Sequence, residues 1–380
     1  MQTYQYGNPE KEVMAVTLAL DSLFQKILSH YKEQLPFVVY KKPESNNVLG
    51  LFQWNANLYT VKSFEETGYI FAPFDGEEVV LLPENESELV IAKWLSPEIS
   101  QKSEVVNHQY DQAAADSHQN LVKKGIDGIE AGLFNKVVLS RKEAVAVVDF
   151  DIVQTYKQLA DSYPTAFVYC WYHPQKGLWM GAFSEQLLKI KGNQLFTMAV
   201  AGTQKWPDNE VVNWQQKEKE EQLVVTDFII DSLKPLTVSM QVSDSYTLKA
   251  GSLAHIKTDI KAELHQHINI RQVIDSIHPT PAVCGLPKQA AKEFILENEN
   301  YNREYYSGYH GELNKDFSSD EKQTDLFVNL RCMKIVSSQS EITTVSLYVG
   351  GGITKDSVPE KEWEETVNKS RTIGKVLGLE

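Results

Sequence analysis

Cysteine is scarce: Cys170, Cys284 and Cys332 are the three in a chain of 380 residues. An odd count at wide spacings carries no disulfide framework and no structural zinc pattern. The three read as buried thiols in a reducing compartment. Long apolar runs are missing too, and none approaches the roughly 20 residues that a membrane-spanning helix needs. The opening segment MQTYQYGNPEKEV lacks a basic stretch followed by an apolar one. No signal peptide is expected, and the cytoplasm is the expected address. Basic residues are outnumbered, 37 against 51 acidic, for a formal net charge of -14. This argues against a nucleic-acid partner bound through a broad basic face, but leaves room for a few cations around an anionic small molecule. The nine histidines include no HExxH pair, and His265 and His267 read as surface residues rather than metal ligands.

What is present is an ordinary globular composition, 42% hydrophobic and 23% charged, with ample material for a core. Apolar periodicity predicts helices at 14–31, 111–133, 151–162, 214–234, 286–298 and 358–376. Strand-like runs fall at 36–40, 67–74, 136–148, 166–172, 177–183, 195–202, 235–249, 309–314, 325–336 and 341–353, while 250–281 reads as less regular. The order implies an α+β fold rich in antiparallel sheet. Strands and helices alternate too irregularly for a Rossmann fold or a (β/α)8 barrel. Residues 1–110 read as an N-terminal subregion packed on the core, and 111–380 as the region bearing the chemistry. No Pro- or Ser-rich linker separates them, so one structural unit is expected.

Two helical segments each offer carboxylates three residues apart, which places each pair on one helix face. They are Glu218 and Glu221 in KEKEEQLVV, and Glu362 and Glu365 in PEKEWEETVNK. Facing one another, the pairs could supply hard oxygen ligands to Mg2+; charge runs of this kind more commonly lie on solvated faces. Ser357 and Glu360 have capping-box spacing, with Pro359 in the first turn. Just upstream, YVGGGI (348–353) offers close backbone approach and exposed N–H donors, read either as an anion cradle or as a flexible turn.

The strings KVVLSR (136–141), AGT (201–203), HPTPAVCGLP (278–287), NREYYSGYHG (302–311) and GGGITKDSVPEKEWEETVNK (350–369) resemble the chorismate-utilising enzymes over about residues 111–376. That family includes isochorismate, salicylate, anthranilate and aminodeoxychorismate synthases. The resemblance implies two packed, largely antiparallel sheets with outer helices, and a deep Mg2+-dependent cleft. It implies Glu221 and Glu365 as the principal carboxylates around Mg2+, with Glu218 and Glu362 as their partners. Arg331 corresponds to the arginine that grips a substrate carboxylate, and Gly350 with its neighbours to the backbone cradle. Lys369, Tyr348, Thr203, His255, Ala282, Val283 and Tyr306 fall in matching substrate-binding segments. Many relatives have Glu-His where this chain has Glu221-Gln222.

Lys136 carries the subtype. The aminating relatives have Gln there, whereas isochorismate and salicylate synthases have Lys. An amine suits activation of water, and Glu185 corresponds to the opposed acid that protonates the departing C4 hydroxyl. The implied reaction is conversion of chorismate to isochorismate, an isomerisation serving menaquinone synthesis, without redox cofactor or obligate glutaminase subunit. Salicylate synthase is the alternative, and a non-catalytic chorismate-binding protein a further one. A monomer is expected, with a dimer as the alternative.

Overall fold

The computed structural model describes residues 15–96, 104–105, 111–206, 212–250, 253–339 and 341–379. Two sheets dominate it. In spatial order the first, 11-stranded sheet runs Val16–Thr17, Ser87–Lys93, Asn47–Gln53, Phe37–Lys41, Phe167–His173, Gly177–Phe183, Cys332–Gln339, Ile342–Ile353, Lys136–Val148 and Gly285–Leu286, with Glu104–Val105 also on Lys136–Val148. The second, 10-stranded sheet runs Thr237–Val242, Leu253–Leu264, Gln194–Lys205, Gln186–Lys191, Gln323–Val328, Tyr309–Leu313, Gly68–Ala72, Val80–Pro83 and Tyr59–Thr60, with Tyr246–Ala250 also on Leu253–Leu264. The described pairings are antiparallel except that of Val16–Thr17 with Ser87–Lys93. Strands from before residue 94 are thus hydrogen-bonded into both sheets.

The strand FVYCWYH (167–173) shows why the sheets face each other. All seven residues are buried, as expected when both faces of a strand are covered. Phe167, Tyr169 and Trp171 point into an aromatic layer between the sheets; Val168, Cys170 and Tyr172 point the other way. Phe71 and Phe327 of the second sheet meet Trp171 and Phe167, with ring centroids 4.5 Å apart in each pair. Outside the first sheet lie the helices Leu20–Lys32, Ile152–Ser162 and Pro359–Gly374, and outside the second lie Gln216–Leu233 and Ile270–Ile277. The expected α+β sandwich with outer helices is what forms. All three cysteines are free and buried. Among the described residues no helix is long and apolar enough to cross a membrane.

Two local expectations need correction, and a third is borne out in two parts. Residues 253–264 form a full strand, followed by a helix over Ile270–Ile277. The alternation was present: Ala254, Ile256, Thr258, Ile260, Ala262 and Leu264 are buried, alternating with less buried polar residues. The Val16–Thr17 pair lies in a strand, so the first helix begins only at Leu20. The run 325–336, read as sheet, divides between the two sheets. Gln323–Val328 belongs to the second sheet and Cys332–Gln339 to the first. Between them Asn329, fully buried, accepts from Tyr169 Oη (2.7 Å) and donates to the Tyr305 carbonyl (2.8 Å). Arg331 takes a left-handed φ of 49° at this crossover, which ends one strand and starts the other.

Candidate functional site

A cleft of about 770 Å³ opens where these strand ends and two helix faces meet. Lys136, the first residue of its strand, is 5% exposed. Its Nζ donates to Glu221 Oε1 at 2.6 Å. The neighbouring strand carries Gly350, Gly351 and Gly352, paired with Ser140, Leu139 and Val138. A Cβ on Gly352 would lie 2.9 Å from Lys136 Cε and 3.4 Å from Glu221 Oε1. Glycine there leaves room for the ion pair. A Cβ on Gly350 would press on the Leu139 carbonyl at 2.8 Å and on Tyr306 Oη at 2.9 Å.

Glu221 stands beside Gly352, and Glu362 and Glu365 stand over Gly351. A Cβ on Gly351 would stand 3.5 Å from Glu362 Oε2 and 3.6 Å from Glu365 Oε1. Burial raises the Glu362 carboxyl above its ordinary range; a Ser357 hydrogen bond opposes this and the nearby Glu365 charge adds to it. Burial would also raise Glu221, but the Lys136 charge and hydrogen bond, then Lys369 and Lys217, outweigh it and hold that carboxyl below its usual range. Glu365 Oε1 accepts from Lys369 Nζ at 2.5 Å, and the same ammonium donates to the Gly350 carbonyl at 2.8 Å. Glu218 closes a capping box at the start of its own helix, accepting from the Gln215 N–H at 3.1 Å. Among the described residues no three acidic, histidine or cysteine side chains already form a ligating cluster. The donor set nevertheless suits a hard divalent cation. Carboxylate oxygens from two helices surround side-chain-free backbone, and two of them carry lysine ammoniums that a cation could replace.

The helix that bears Glu362 does not start as expected. Val358 is the N-cap, with no side-chain cap bond, and Pro359 opens the first turn. Ser357 instead accepts from the Thr354 N–H at 3.1 Å and bonds the Glu362 carboxyl. The Ser357–Glu360 capping box is therefore absent, because the helix begins one residue later than the spacing suggested.

Glu185 sits between the strand Gly177–Phe183 and the strand Gln186–Lys191, at 8% exposure. Burial pushes its carboxyl up to about 7, against the opposing pull of Lys136. His255 is lowered to about 4 by burial; a hydrogen bond to the Gly202 carbonyl opposes this, while Arg331 and Lys369 add to it. Its Nδ1 stands 3.1 Å from that carbonyl, so the neutral ring carries its proton on Nδ1. Desolvation also lowers Arg331, with Tyr163, Tyr306 and Glu365 pulling the other way. Tyr306 stacks on Tyr348 at 5.7 Å, and Tyr348 on Trp179 at 5.1 Å, which makes a rigid ring-lined wall beside Ala282 and Val283.

Each catalytic, substrate-binding and metal-ligating residue implied by the resemblance borders this cleft except Thr203. The Thr203 backbone pairs with His255, but its side chain lies outside the described residues. Gln222 points elsewhere. Its amide donates to Thr226 (2.8 Å) and Thr258 (2.7 Å), tying the Glu221 helix to the strand Leu253–Leu264. Sequence reading passed over two supports. Lys217 borders the cleft and its charge reaches Glu221 and Glu362. Arg303, 3% exposed, donates to the Val138 carbonyl (2.7 Å), the Val283 carbonyl (3.0 Å) and Glu299. Glu299 in turn accepts from the Ser140 N–H at 2.8 Å, so the pair locks the Lys136 strand to the Val283 wall. Nothing local in NREYY marks this bridge.

A family model described as "Chorismate binding enzyme" matches residues 78–378. The isochorismate synthase DhbC of Bacillus subtilis is 27% identical over 285 residues, covering 70% of this chain and 68% of that protein. The isochorismate synthase MenF of Pasteurella multocida is 26% identical over 301 residues, covering 73% of this chain but 64% of that protein. The solved structure of MenF from Escherichia coli, described as menaquinone-specific, superposes with a TM-score of 0.74 at 20% identity, covering 90% of this chain and 88% of that one.

Proposed function

This chain belongs to the family of chorismate-binding enzymes, and from that premise we propose that it is an isochorismate synthase. The observation that carries the reading is the presence, in one cleft, of a buried amine at Lys136 and a buried carboxyl at Glu185 raised to about 7. Addition of water at C2 of chorismate, with a double-bond shift and loss of the C4 hydroxyl, needs a base for the incoming water and an acid for the leaving group. Lys136, in its neutral amine form, takes the proton of the attacking water. Glu185 is close to half protonated near neutrality and gives its proton to the departing hydroxyl. Arg331 grips a substrate carboxylate through its planar fork, and the Gly350–Gly352 backbone receives the other. His255, neutral and held by Gly202, lies beside the ring without adding charge. The Tyr306–Tyr348 stack orients the ring against Ala282 and Val283.

The carboxylates fit Mg2+, with Glu221 and Glu365 as direct ligands and Glu218 and Glu362 behind them. When bound there, the cation would supply positive charge against the ring carboxylate of the dianionic substrate. Metal-stripped protein should lose turnover of chorismate, and added Mg2+ should restore it; full activity without any divalent ion would remove the metal role. The same assay, run without ammonia and resolved by mass spectrometry, should show isochorismate at unchanged substrate mass, with label entering from isotopic water. Stoichiometric pyruvate and salicylate would select a salicylate synthase, and binding without turnover a chorismate-binding protein.

Arg331→Lys keeps the charge and loses the fork. A hydrogen bond to a charged group contributes about 1.5–3 kcal/mol, so kcat/KM should fall roughly ten- to hundred-fold. Steady-state kinetics equal to the parent's would remove Arg331 from the clamp. We assign the product to menaquinone synthesis, supported by the likeness to the MenF proteins and by the AVAGT and HPTPAVCGLP strings. We place the enzyme in the cytoplasm, as a monomer acting without a glutaminase subunit.

A further inference from the structure

A second cavity, of about 560 Å³, opens behind the wall that holds Glu185 and Arg331. Phe183, Glu185, Val200, His255 and Arg331 border both cavities, whereas Lys136 and the four carboxylates of the two helices border the main cleft alone. The remaining wall of the second cavity is largely apolar, with Ala166, Ala182, Met198, Leu248 and Ile373. Asp161 and Lys249 on its border carry opposite charges.

Arg331 stands at the junction. Its charge is felt by Tyr163, which borders only the second cavity, and by Tyr306 and Glu365, which border only the main cleft. Its guanidinium lies over the Phe183 ring, 5.9 Å from the centroid. Among the described residues it forms no ion pair with a carboxylate. A desolvated cation beside apolar walls is costly unless an anion meets it. A cavity of this size, apolar with one convergent cation, has the character of a site for a small molecule with one acidic end.

We propose that the second cavity binds a small apolar monocarboxylate, with its carboxylate on the Arg331 fork and its hydrocarbon or aryl body against Ala182 and Leu248. The neighbouring groups permit this: His255 is neutral, and Glu185, close to half protonated near neutrality, can hold its proton beside a bound anion, so neither sets a fixed charge against the ligand. Occupation withdraws Arg331 from the main cleft. Inhibition competitive with chorismate follows, a consequence that rests on the function proposed above.

The test uses metal-free, substrate-free protein titrated calorimetrically with trans-cinnamate and with cinnamyl alcohol, its uncharged counterpart. Cinnamate should bind one to one and at least ten-fold more tightly than the alcohol. Arg331→Lys should weaken cinnamate at least ten-fold. Ser162 and Thr165 are exposed and border only the second cavity. Ser162→Trp and Thr165→Trp should each weaken cinnamate at least ten-fold and leave the KM for chorismate within two-fold of the parent. In the activity assay cinnamate should raise the apparent KM without lowering kcat. Equal binding of acid and alcohol, or parental cinnamate affinity in both tryptophan variants, overturns the proposal. Calorimetry reads the cavity whether or not chorismate is turned over, so failure of the isochorismate synthase reading and failure of this site give different results.

Discussion

Lys136→Ala should lower the rate of water addition to chorismate by about 10²–10⁴-fold, the range expected when a positioned base is removed. The substitution has a second consequence that can be measured separately. Lys136 is the first opposing influence that holds the Glu221 carboxyl below its ordinary range, so without it that carboxyl should titrate at higher pH. Lys136→Gln distinguishes the two effects. An amide can still donate a hydrogen bond toward Glu221, but it cannot accept a proton from water at useful pH. If Lys136 is the base, Gln should be nearly as inactive as Ala while its thermal melt stays closer to the parent's. Parental turnover in both variants, followed by chromatography of the product, would assign the base elsewhere.

Glu185→Gln should cost a similar 10²–10⁴-fold in turnover, since the amide fits the same space and has no acidic proton to give. The pH profile makes this specific. With its carboxyl at about 7, the acid form of Glu185 is depleted as pH rises through neutrality. The kcat/KM of the parent should therefore fall on the alkaline side of about 7, and the residual activity of Glu185→Gln should lack that limb. Stability carries the same sign. Burial raises the folded-state value above the ordinary 4.5, so the folded protein holds the proton more tightly than the unfolded chain. That contribution is complete below the unfolded value and is lost as pH rises through about 7. Melting temperatures followed across this window should fall less in Glu185→Gln than in the parent. A profile unchanged by the substitution would mean that another group supplies the proton.

The candidate residues could be named from the chain through the strings that resemble the family, and local spacings place them on their elements. The i, i+3 carboxylates of Glu218 and Glu221, and of Glu362 and Glu365, share helix faces wherever those helices are placed. The glycine run 350–352 permits close approach in any sheet. Lys136 opens a strand whose 13 residues were read in full, because alternation and β-branched residues act over a few positions. The sequence by itself thus determined which elements hold the candidate residues, while the roles proposed for them come from the family resemblance.

What needed the tertiary structure is contact between residues far apart in the chain. Lys136 and Glu221 are 85 positions apart, and no local pattern shows that the proposed base is held by a proposed metal ligand. The value of about 7 at Glu185 comes from burial, which strand pairing creates and composition does not reveal. The apolar run 325–336 reads as sheet throughout because its local pattern is continuous, and where it divides is not legible in it. It divides because Asn329 is tied to Tyr169 and Tyr305, so the chain leaves one sheet for the other and turns Arg331 to where both cavities meet. Side-chain period acts within an element, whereas register, desolvation and cavity shape come from packing elements against one another, and those decided where the charges lie.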